Sequence, residues 1–164
     1  MKIIFLILIL FQGGICQSQS TKFLLFEKRD LDKNRTSHLI GYTQELVFRV
    51  YNYSQNSLTI YGNEDEKEFS PEIDTLTWNP KIESWLFSSG KETPVSIDEI
   101  KPEGKYTLKS RQFLEFKVWM QIPCFASKRK LAIYIKSESD EIPKVILSNE
   151  FTVQNLSGNC STQR

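Results

Sequence analysis

The sequence contains few residues whose types and spacing could support catalysis. Its single histidine, His38, follows Ser37 in a polar stretch that predicts an exposed loop. The chain contains no Gly-x-Ser-x-Gly, His-Glu-x-x-His or phosphate-binding glycine motif, and no Cys-His pairing. The sequence therefore predicts a protein that is not an enzyme and uses no cofactor.

Carboxylates are the remaining source of chemistry, because a glycoside hydrolase needs only two of them. Asp74, Glu83, Asp98 and Glu99 lie in the middle of the chain, among prolines and glycines. Their spacing does not single out an acid and a second group to act as nucleophile or base. A carboxylate-based hydrolase therefore stays open as an alternative, without an assigned pair.

A short acidic motif matches part of a calcium-binding loop. Asp30, Asp32 and Asn34 occupy alternate positions, as the first ligands of an EF-hand calcium loop do. The sixth position is Arg35, where the loop needs glycine, and the twelfth is Gly41, where a glutamate should close the cage. We therefore expect a surface loop here and no metal site.

The N-terminus has the composition of a secretory signal peptide. A lysine precedes the apolar run 3–11, and the small residues Gly14 and Cys16 come just before Gln17. This run is far shorter than the roughly 20 apolar residues that span a membrane. We expect cleavage after Cys16, which leaves residues 17–164 as one exported domain in the periplasm, on the cell surface or outside the cell.

The three cysteines lead to two predictions. A lipid anchor at Cys16 is disfavoured, because Gly13 and Ile15 stand where a lipoprotein signal needs a branched apolar residue and a small one. Cleavage leaves Cys124 and Cys160, and in an exported chain two remaining cysteines usually form a disulfide. Such a bridge would stabilise the fold by roughly 3–4 kcal/mol through loop closure.

The charge balance argues against nucleic acid as a partner. The chain has 21 Lys and Arg against 20 Asp and Glu, and removing residues 1–16 takes away only Lys2, which leaves 20 of each sign. A protein that neutralises phosphates normally has a basic surplus. We expect the basic run 128–130, which has acidic neighbours, to lie in a solvated loop.

Alternating apolar residues predict an all-β protein. Residues 114–122 alternate strictly between apolar side chains and more polar or bulky ones, which describes a strand with one face on a core. No helix of useful length is expected, and the spacing of about seven strands predicts a two-sheet sandwich. The predicted strands are 21–27, 45–52, 58–61, 114–122, 131–136 and 144–153, the last interrupted by a bulge or edge at 148–150, with short extended pieces at 82–87, 95–97 and 106–108.

Large side chains on the outward strand faces are the candidate contact residues. The alternation places Trp119, Tyr51 and Arg49 away from the core. Aromatic and arginine side chains are enriched at contact hot spots, so these three residues would suit a partner. The irregular segment 69–111 offers a competing cover for the same face. The sequence favours this cover, in which case the contact role would be lost.

Four segments occur in an order that is typical of a known kind of domain. They are a strand ending in Tyr51-Asn52-Tyr53-Ser54, a partner strand at 58–61, Pro102-Glu103-Gly104 ahead of the strand at 114, and a terminal strand containing Ser148-Asn149-Glu150-Phe151. This order resembles the immunoglobulin-like and fibronectin type III-like domains of bacterial envelope proteins. The resemblance is one of pattern and covers most of residues 17–164.

The resemblance implies a topology and a function. It implies a non-catalytic interaction module of the cell envelope, without a membrane span, that binds a protein or a glycan. A similar order of strand, Asn-x-Ser turn and strand in bacterial proteinase-inhibitor sandwiches leaves a secreted inhibitor as an alternative. The implied topology places the strands near 23, 48 and 116 in one sheet and those near 60, 133 and 147 in the other, with residues 123–130 crossing between the sheets.

Four Asn-x-Ser/Thr triplets have two interpretations. They begin at Asn34, Asn52, Asn155 and Asn159. In a eukaryotic secretory pathway they would be glycan acceptors, whereas in a bacterial envelope they would be ordinary turns. The bacterial resemblance favours turns, and the sequence alone leaves both open.

Overall fold

The computed structural model describes residues 21–30, 42–65, 68–122 and 126–153, and every structural statement below refers to these ranges. Several sequence-based predictions lie outside them. These are the signal peptide at 1–16, the possible anchor at Cys16, the Cys124–Cys160 disulfide, the loop residues Asp32, Asn34 and His38, and the triplets at Asn155 and Asn159.

The described chain is all-β, as predicted, with about eleven strands where the sequence predicted about seven. Its one helix, α1, is a single turn at Ile97–Ile100. The strands are β1 Thr21–Asp30, β2 Tyr42–Asn52, β3 Leu58–Asp65, β4 Glu68–Pro71, β5 Ile73–Asn79, β6 Ser84–Leu86, β7 Gly104–Leu108, β8 Phe113–Ile122, β9 Ser127–Ser137, β10 Lys144–Leu147 and β11 Phe151–Val153.

The first sheet has three antiparallel strands in the order β1-β2-β8. Its central strand β2 places Leu46, Phe48 and Val50 on the core face, and all three are fully buried. Phe48 contacts the rings of Phe23 on β1 and Phe116 on β8, with centroid distances of 5.5 and 6.0 Å. One aromatic row therefore holds the three strands together on the inside.

The second sheet is organised around β9. This strand pairs with β3 and β5 along one edge and with β10 and β11 along the other. Residues 127–130, expected in a loop, belong to β9, because the basic side chains there alternate with the pleat of the strand. With β3, β9 and β10 in one sheet and β1, β2 and β8 in the other, the implied partition is confirmed, and the chain crosses between sheets after β8.

The main core lies between the two sheets. Leu131, Ile133 and Ile135 of β9 face the phenylalanine row of the first sheet and are fully buried. Phe151 of β11 closes one end, 5.6 Å from the Phe48 ring. Each large apolar side chain buried in this way contributes on the order of 1.5–3 kcal/mol, so the packing of β9 against β2 is the main stabilising contact of the sandwich.

The other face of the second sheet is also covered. Leu76 and Phe87 pack with Ala132 of β9, and half-buried Trp85 joins them. The Tyr134 hydroxyl donates a hydrogen bond to the Val95 carbonyl at 2.8 Å. The segment from Phe87 to the end of α1 therefore covers the second sheet. The expectation that this part of the chain shields Trp119 on the outward face of the first sheet is wrong.

The additional strands come from the segment that was interpreted as irregular. In β5, Asp74 is buried and breaks the apolar alternation, so the sequence pattern hides the strand. The piece expected at 95–97 is instead the start of α1, which Ser96 caps by accepting a hydrogen bond from the Asp98 N–H. Short strands with polar buried positions are those that periodicity alone misses.

The interruption predicted in the last strand is present. Leu147 of β10 lies opposite Ala132, and Phe151 of β11 lies opposite Arg129. The three residues 148–150 therefore stand opposite only two residues of β9, 130–131, as in a bulge. The freed Asn149 bonds to the other sheet. Its Oδ1 accepts a hydrogen bond from the Leu25 N–H at 2.7 Å, and its N–H donates to the Phe23 carbonyl at 3.2 Å.

The turn between β2 and β3 is built around a fully buried asparagine, Asn52. Its Nδ2 donates to the carbonyls of Asn56 and Leu108 at 2.9 and 3.0 Å, and its Oδ1 accepts from the Ser54 N–H and hydroxyl. The amide nitrogen is thus occupied and inaccessible. The Asn52 triplet is a turn in this fold, and its interpretation as a glycan acceptor is wrong.

Replacing Asn52 should therefore be costly. We expect Asn52→Ala to lower the free energy of unfolding by about 2–4 kcal/mol, because the change leaves buried carbonyls without a donor. Urea unfolding followed by circular dichroism measures the loss. The control is Asn56→Ala, which removes an exposed side chain and keeps the carbonyl. Equal stability of the two variants would contradict the role of the buried amide.

Candidate functional site

The outer face of the first sheet, meaning the side of β1, β2 and β8 that points away from the core, is the candidate site. It carries most of the large exposed apolar side chains of the described chain. This face is where the sequence placed its three contact candidates. Its exposed apolar residues are Leu24, Phe26, Phe113 and Trp119, with Tyr53 just beyond the end of β2.

The strand register arranges these side chains in rows across the sheet. Tyr51 lies opposite Phe113, Arg49 opposite Glu115, and Glu45 opposite Trp119. Tyr51 and Arg49 are therefore neighbours on one face. Trp119 shares that face but lies four residues along β8 from the Arg49 row, about 14 Å at the usual strand rise.

Arg49 is the centre of one half of the face. Its guanidinium carbon lies 3.4 Å from the Phe26 ring centroid and 5.0 Å from that of Phe113, which is the geometry of cation–π contacts. Its Nε donates to Glu115 at 2.8 Å. Hydrogen bonds with Tyr51 and then Glu115 raise the pKa of Arg49 above its ordinary value. The guanidinium is thus held in place and permanently charged.

Two aromatic partners of Arg49 were not identified from the sequence. Phe26 sits at a register shift between Leu25 and Glu27, an irregularity that the alternation of β1 does not reveal. Phe113 precedes the strictly alternating stretch and was left out of the predicted strand. A cross-strand register for β2 and β8 would have found Phe113, because it lies opposite Tyr51.

Tyrosines extend this half of the face toward the end of β2. The rings of Tyr51 and Tyr53 stack with centroids 5.7 Å apart and an interplanar angle of 5°. Lys22 Nζ lies 5.6 Å from the Tyr53 centroid. The result is a flat aromatic surface with cations at its edges, of the kind that recognises partners through stacking and cation–π contacts.

The other half of the face carries a charge network. Glu45 is only 7% exposed. Its carboxylate oxygens lie 3.5 Å from Arg29 and 3.6 Å from Lys117, so the buried charge is paired on both sides. Trp119, next to this network, is 66% exposed. The indole therefore projects from the sheet instead of being shielded as expected.

The carboxylates considered for hydrolysis have local tasks or lie apart. Asp74 uses one oxygen to accept hydrogen bonds from the Thr75 and Ser88 N–H groups at 2.7 and 3.2 Å, which fixes the loop after β6. Asp98 and Glu99 are exposed on α1, and Glu83 is exposed at a positive φ of 51°. No pair with a shared cleft and a common partner emerges from these contacts.

Two searches of the described residues concern metals and membranes. No group of three or more His, Cys, Asp or Glu side chains within the described ranges is arranged to hold a metal ion. In the same ranges, no helix has the length and apolar character needed to cross a bilayer.

Comparisons with known proteins concern the fold. No protein family and no curated protein matches the chain. A structural genomics protein of Bordetella pertussis with the provisional name ApaA is 11% identical, with 84% of this chain and 93% of that one aligned and a TM-score of 0.48. Northeast Structural Genomics Consortium target SoR45 is 7% identical, with 84% and 88% aligned and a TM-score of 0.53. The second likeness supports the fold and carries no function.

The exposure of Trp119 makes a direct prediction about stability. In dilute protein we expect Trp119→Ala to change the free energy of unfolding by less than about 0.5 kcal/mol, since little packing is lost. Phe116→Ala, three residues away on the core face, should cost about 3–5 kcal/mol. Urea titrations followed by far-ultraviolet circular dichroism compare the two. A comparable loss in both variants would show that Trp119 is packed.

Proposed function

We propose that the protein is an exported, non-catalytic interaction module that binds a protein partner through the outer face of its first sheet. The observation that carries this proposal is the concentration of exposed aromatic and aliphatic side chains around Arg49 on one sheet face. The equivalent face of the second sheet is covered by the chain itself. A face that the fold leaves uncovered in this way is a candidate interface.

The chemistry of the face favours a protein partner. Tyrosine, tryptophan and arginine dominate binding hot spots, because they offer much contact area with few rotatable bonds. Arg49 is already stacked and hydrogen-bonded, so binding would cost little further side-chain entropy. The paired charges of Glu45, Arg29 and Lys117 supply a polar border beside Trp119.

Export and the immunoglobulin-like character are parts of the same proposal. The apolar run 3–11 and the small residues before Gln17 support export. The division of β1, β2 and β8 from β3, β9 and β10 supports a sandwich of the immunoglobulin-like or fibronectin type III-like kind.

Substitutions on the outer face should weaken partner binding. We expect Arg49→Ala and Trp119→Ala each to weaken binding by about 30-fold or more, the loss typical of hot-spot residues. The measurement is affinity of the purified protein for a partner captured from the envelope fraction and then purified. The control is Ile142→Ala, which removes a 75% exposed apolar side chain from another surface.

Two results would contradict this assignment. One is an equal loss in the Ile142→Ala control, which would mean that any exposed apolar side chain contributes. The other is a protein that captures no protein partner but binds glycans on an array. If the Arg49→Ala and Trp119→Ala variants lost that binding, the face would be assigned to carbohydrate.

Export has its own test. We expect the protein recovered from its native host to begin at Gln17, because cleavage after Cys16 fits the small residues there. Intact-mass spectrometry reads the N-terminus directly, and a host-purified protein that retains residues 1–16 would remove export from the proposal while leaving the contact face untouched.

A further inference from the structure

The two edges of the first sheet differ in how far the described chain occupies them. At β1, Asn149 occupies backbone groups of Phe23 and Leu25, and the Lys28 side chain donates to the Thr152 carbonyl at 2.7 Å, so the edge is partly blocked. At the other end of the sheet, β8 pairs with β2 alone among the described strands. A ten-residue end strand of this kind is a template for another strand.

The ladder shows which backbone groups of β8 face outward. The Asn52 N–H donates to the Gln112 carbonyl at 2.9 Å, so residue 112 turns its carbonyl toward β2. Antiparallel pairing alternates, and the even-numbered residues of β8 therefore bond to β2. Phe113, Glu115, Lys117 and Trp119 present their N–H and C=O groups at the open edge.

The core-facing side chains confirm that β8 is incompletely covered. Leu46, Phe48 and Val50 of the central strand are 0% exposed. Leu114 and Val118, which face the same core from β8, are only partly buried. A groove of about 620 Å³ runs beside this edge, lined by Leu114 and Phe116 together with side chains of β4 and β7. Another strand placed against β8 would extend the cover over these residues.

We propose that the occupant of this edge is a second copy of the chain, paired antiparallel through β8 about a two-fold axis at Phe116. In this register Glu115 lies opposite the partner's Lys117, and Lys117 lies opposite the partner's Glu115. Phe113 lies opposite the partner's Trp119, and Leu114 opposite the partner's Val118. Each of these pairs is thus either opposite in charge or apolar, which is what stabilises antiparallel neighbours.

Neighbouring registers lack this self-complementarity. A two-fold axis at Lys117 places two lysines opposite each other, and an axis at Glu115 does the same with two glutamates. Like charges directly opposite destabilise a strand pair. Shifting one β8 strand by an odd number of residues would place core-facing side chains opposite outward-facing ones. A two-fold axis perpendicular to the sheet keeps each face on its own side and does not permit such a register. Of these three registers, the charges on β8 favour the axis at Phe116.

The dimer brings the three contact candidates together. Within one chain, Trp119 is remote from Tyr51. In the dimer, the partner's Trp119 lies opposite Phe113, which in turn lies opposite Tyr51 on β2. The outer faces of both copies then form one continuous surface, with an aromatic row from the partner's Trp119 through Phe113 to Tyr51. Dimerisation is measured without any other partner, so this inference stands or falls independently of the proposed function.

Charge reversal provides the test. Glu115→Lys alone places lysines opposite lysines in the dimer, and Lys117→Glu alone places glutamates opposite glutamates. We expect each variant to dimerise at least about tenfold more weakly than the unmodified protein in sedimentation experiments at low salt. Mixing the two variants restores both opposite-charge pairs. We expect the resulting heterodimer to be tighter than the homodimer of either variant.

A second variant tests the edge itself. Because the Lys117 N–H faces away from β2, Lys117→Pro should keep the fold, measured by circular dichroism, and abolish the dimer, whereas Lys117→Ala should retain it. The inference is overturned if the unmodified protein sediments as a monomer at about 100 µM, a concentration that would reveal even a weak dimer. It is also overturned if the mixed charge variants remain monomeric, or if Lys117→Pro still dimerises.

Discussion

Burial of β9 on both faces is the constraint on which the rest of the structure depends. A strand with Leu131, Ile133 and Ile135 on one side and Ala132 and Tyr134 on the other cannot face water on either side without exposing a large apolar surface. The first sheet covers one side, and the segment that includes Phe87 and Val95 covers the other. Both the sandwich and its long irregular connection follow from this requirement.

The same requirement explains why the two sheets differ on their outer faces. Among the described residues, the long connection between β6 and β7 covers the second sheet, and none of the described segments covers the first. In β2, the outward charged residues are paired: Arg49 with rings and Glu115, and Glu45 with two cations. The outward Val47 between them is buried. Trp119 has no such pairing and stays exposed, which is why this face is the natural place to look for a partner.

The sequence predicted the features that follow from local alternation and missed those that depend on contacts between residues distant in sequence. Strict alternation in β2 and β8 was enough to predict an all-β fold and the outward positions of Tyr51, Arg49 and Trp119, because strand geometry alone fixes them. The strand count and the location of the cover were not predictable. Asp74 is buried through hydrogen bonds to backbone N–H groups that lie far apart in sequence, and Phe26 reaches Arg49 only through a register shift.

The side-chain amide of Asn149 has a consequence for how far strand addition can proceed. The Asn149 Oδ1 accepts a hydrogen bond from the Leu25 N–H, and the Asn149 backbone N–H donates to the Phe23 carbonyl, so part of the β1 edge of the first sheet is already occupied. A sheet with two open edges can polymerise without limit into a fibre, whereas a sheet with one open edge is saturated after a single addition. Asn149, at the break in the last strand, thus disfavours strand addition at β1 and limits growth through the first sheet to the β8 edge.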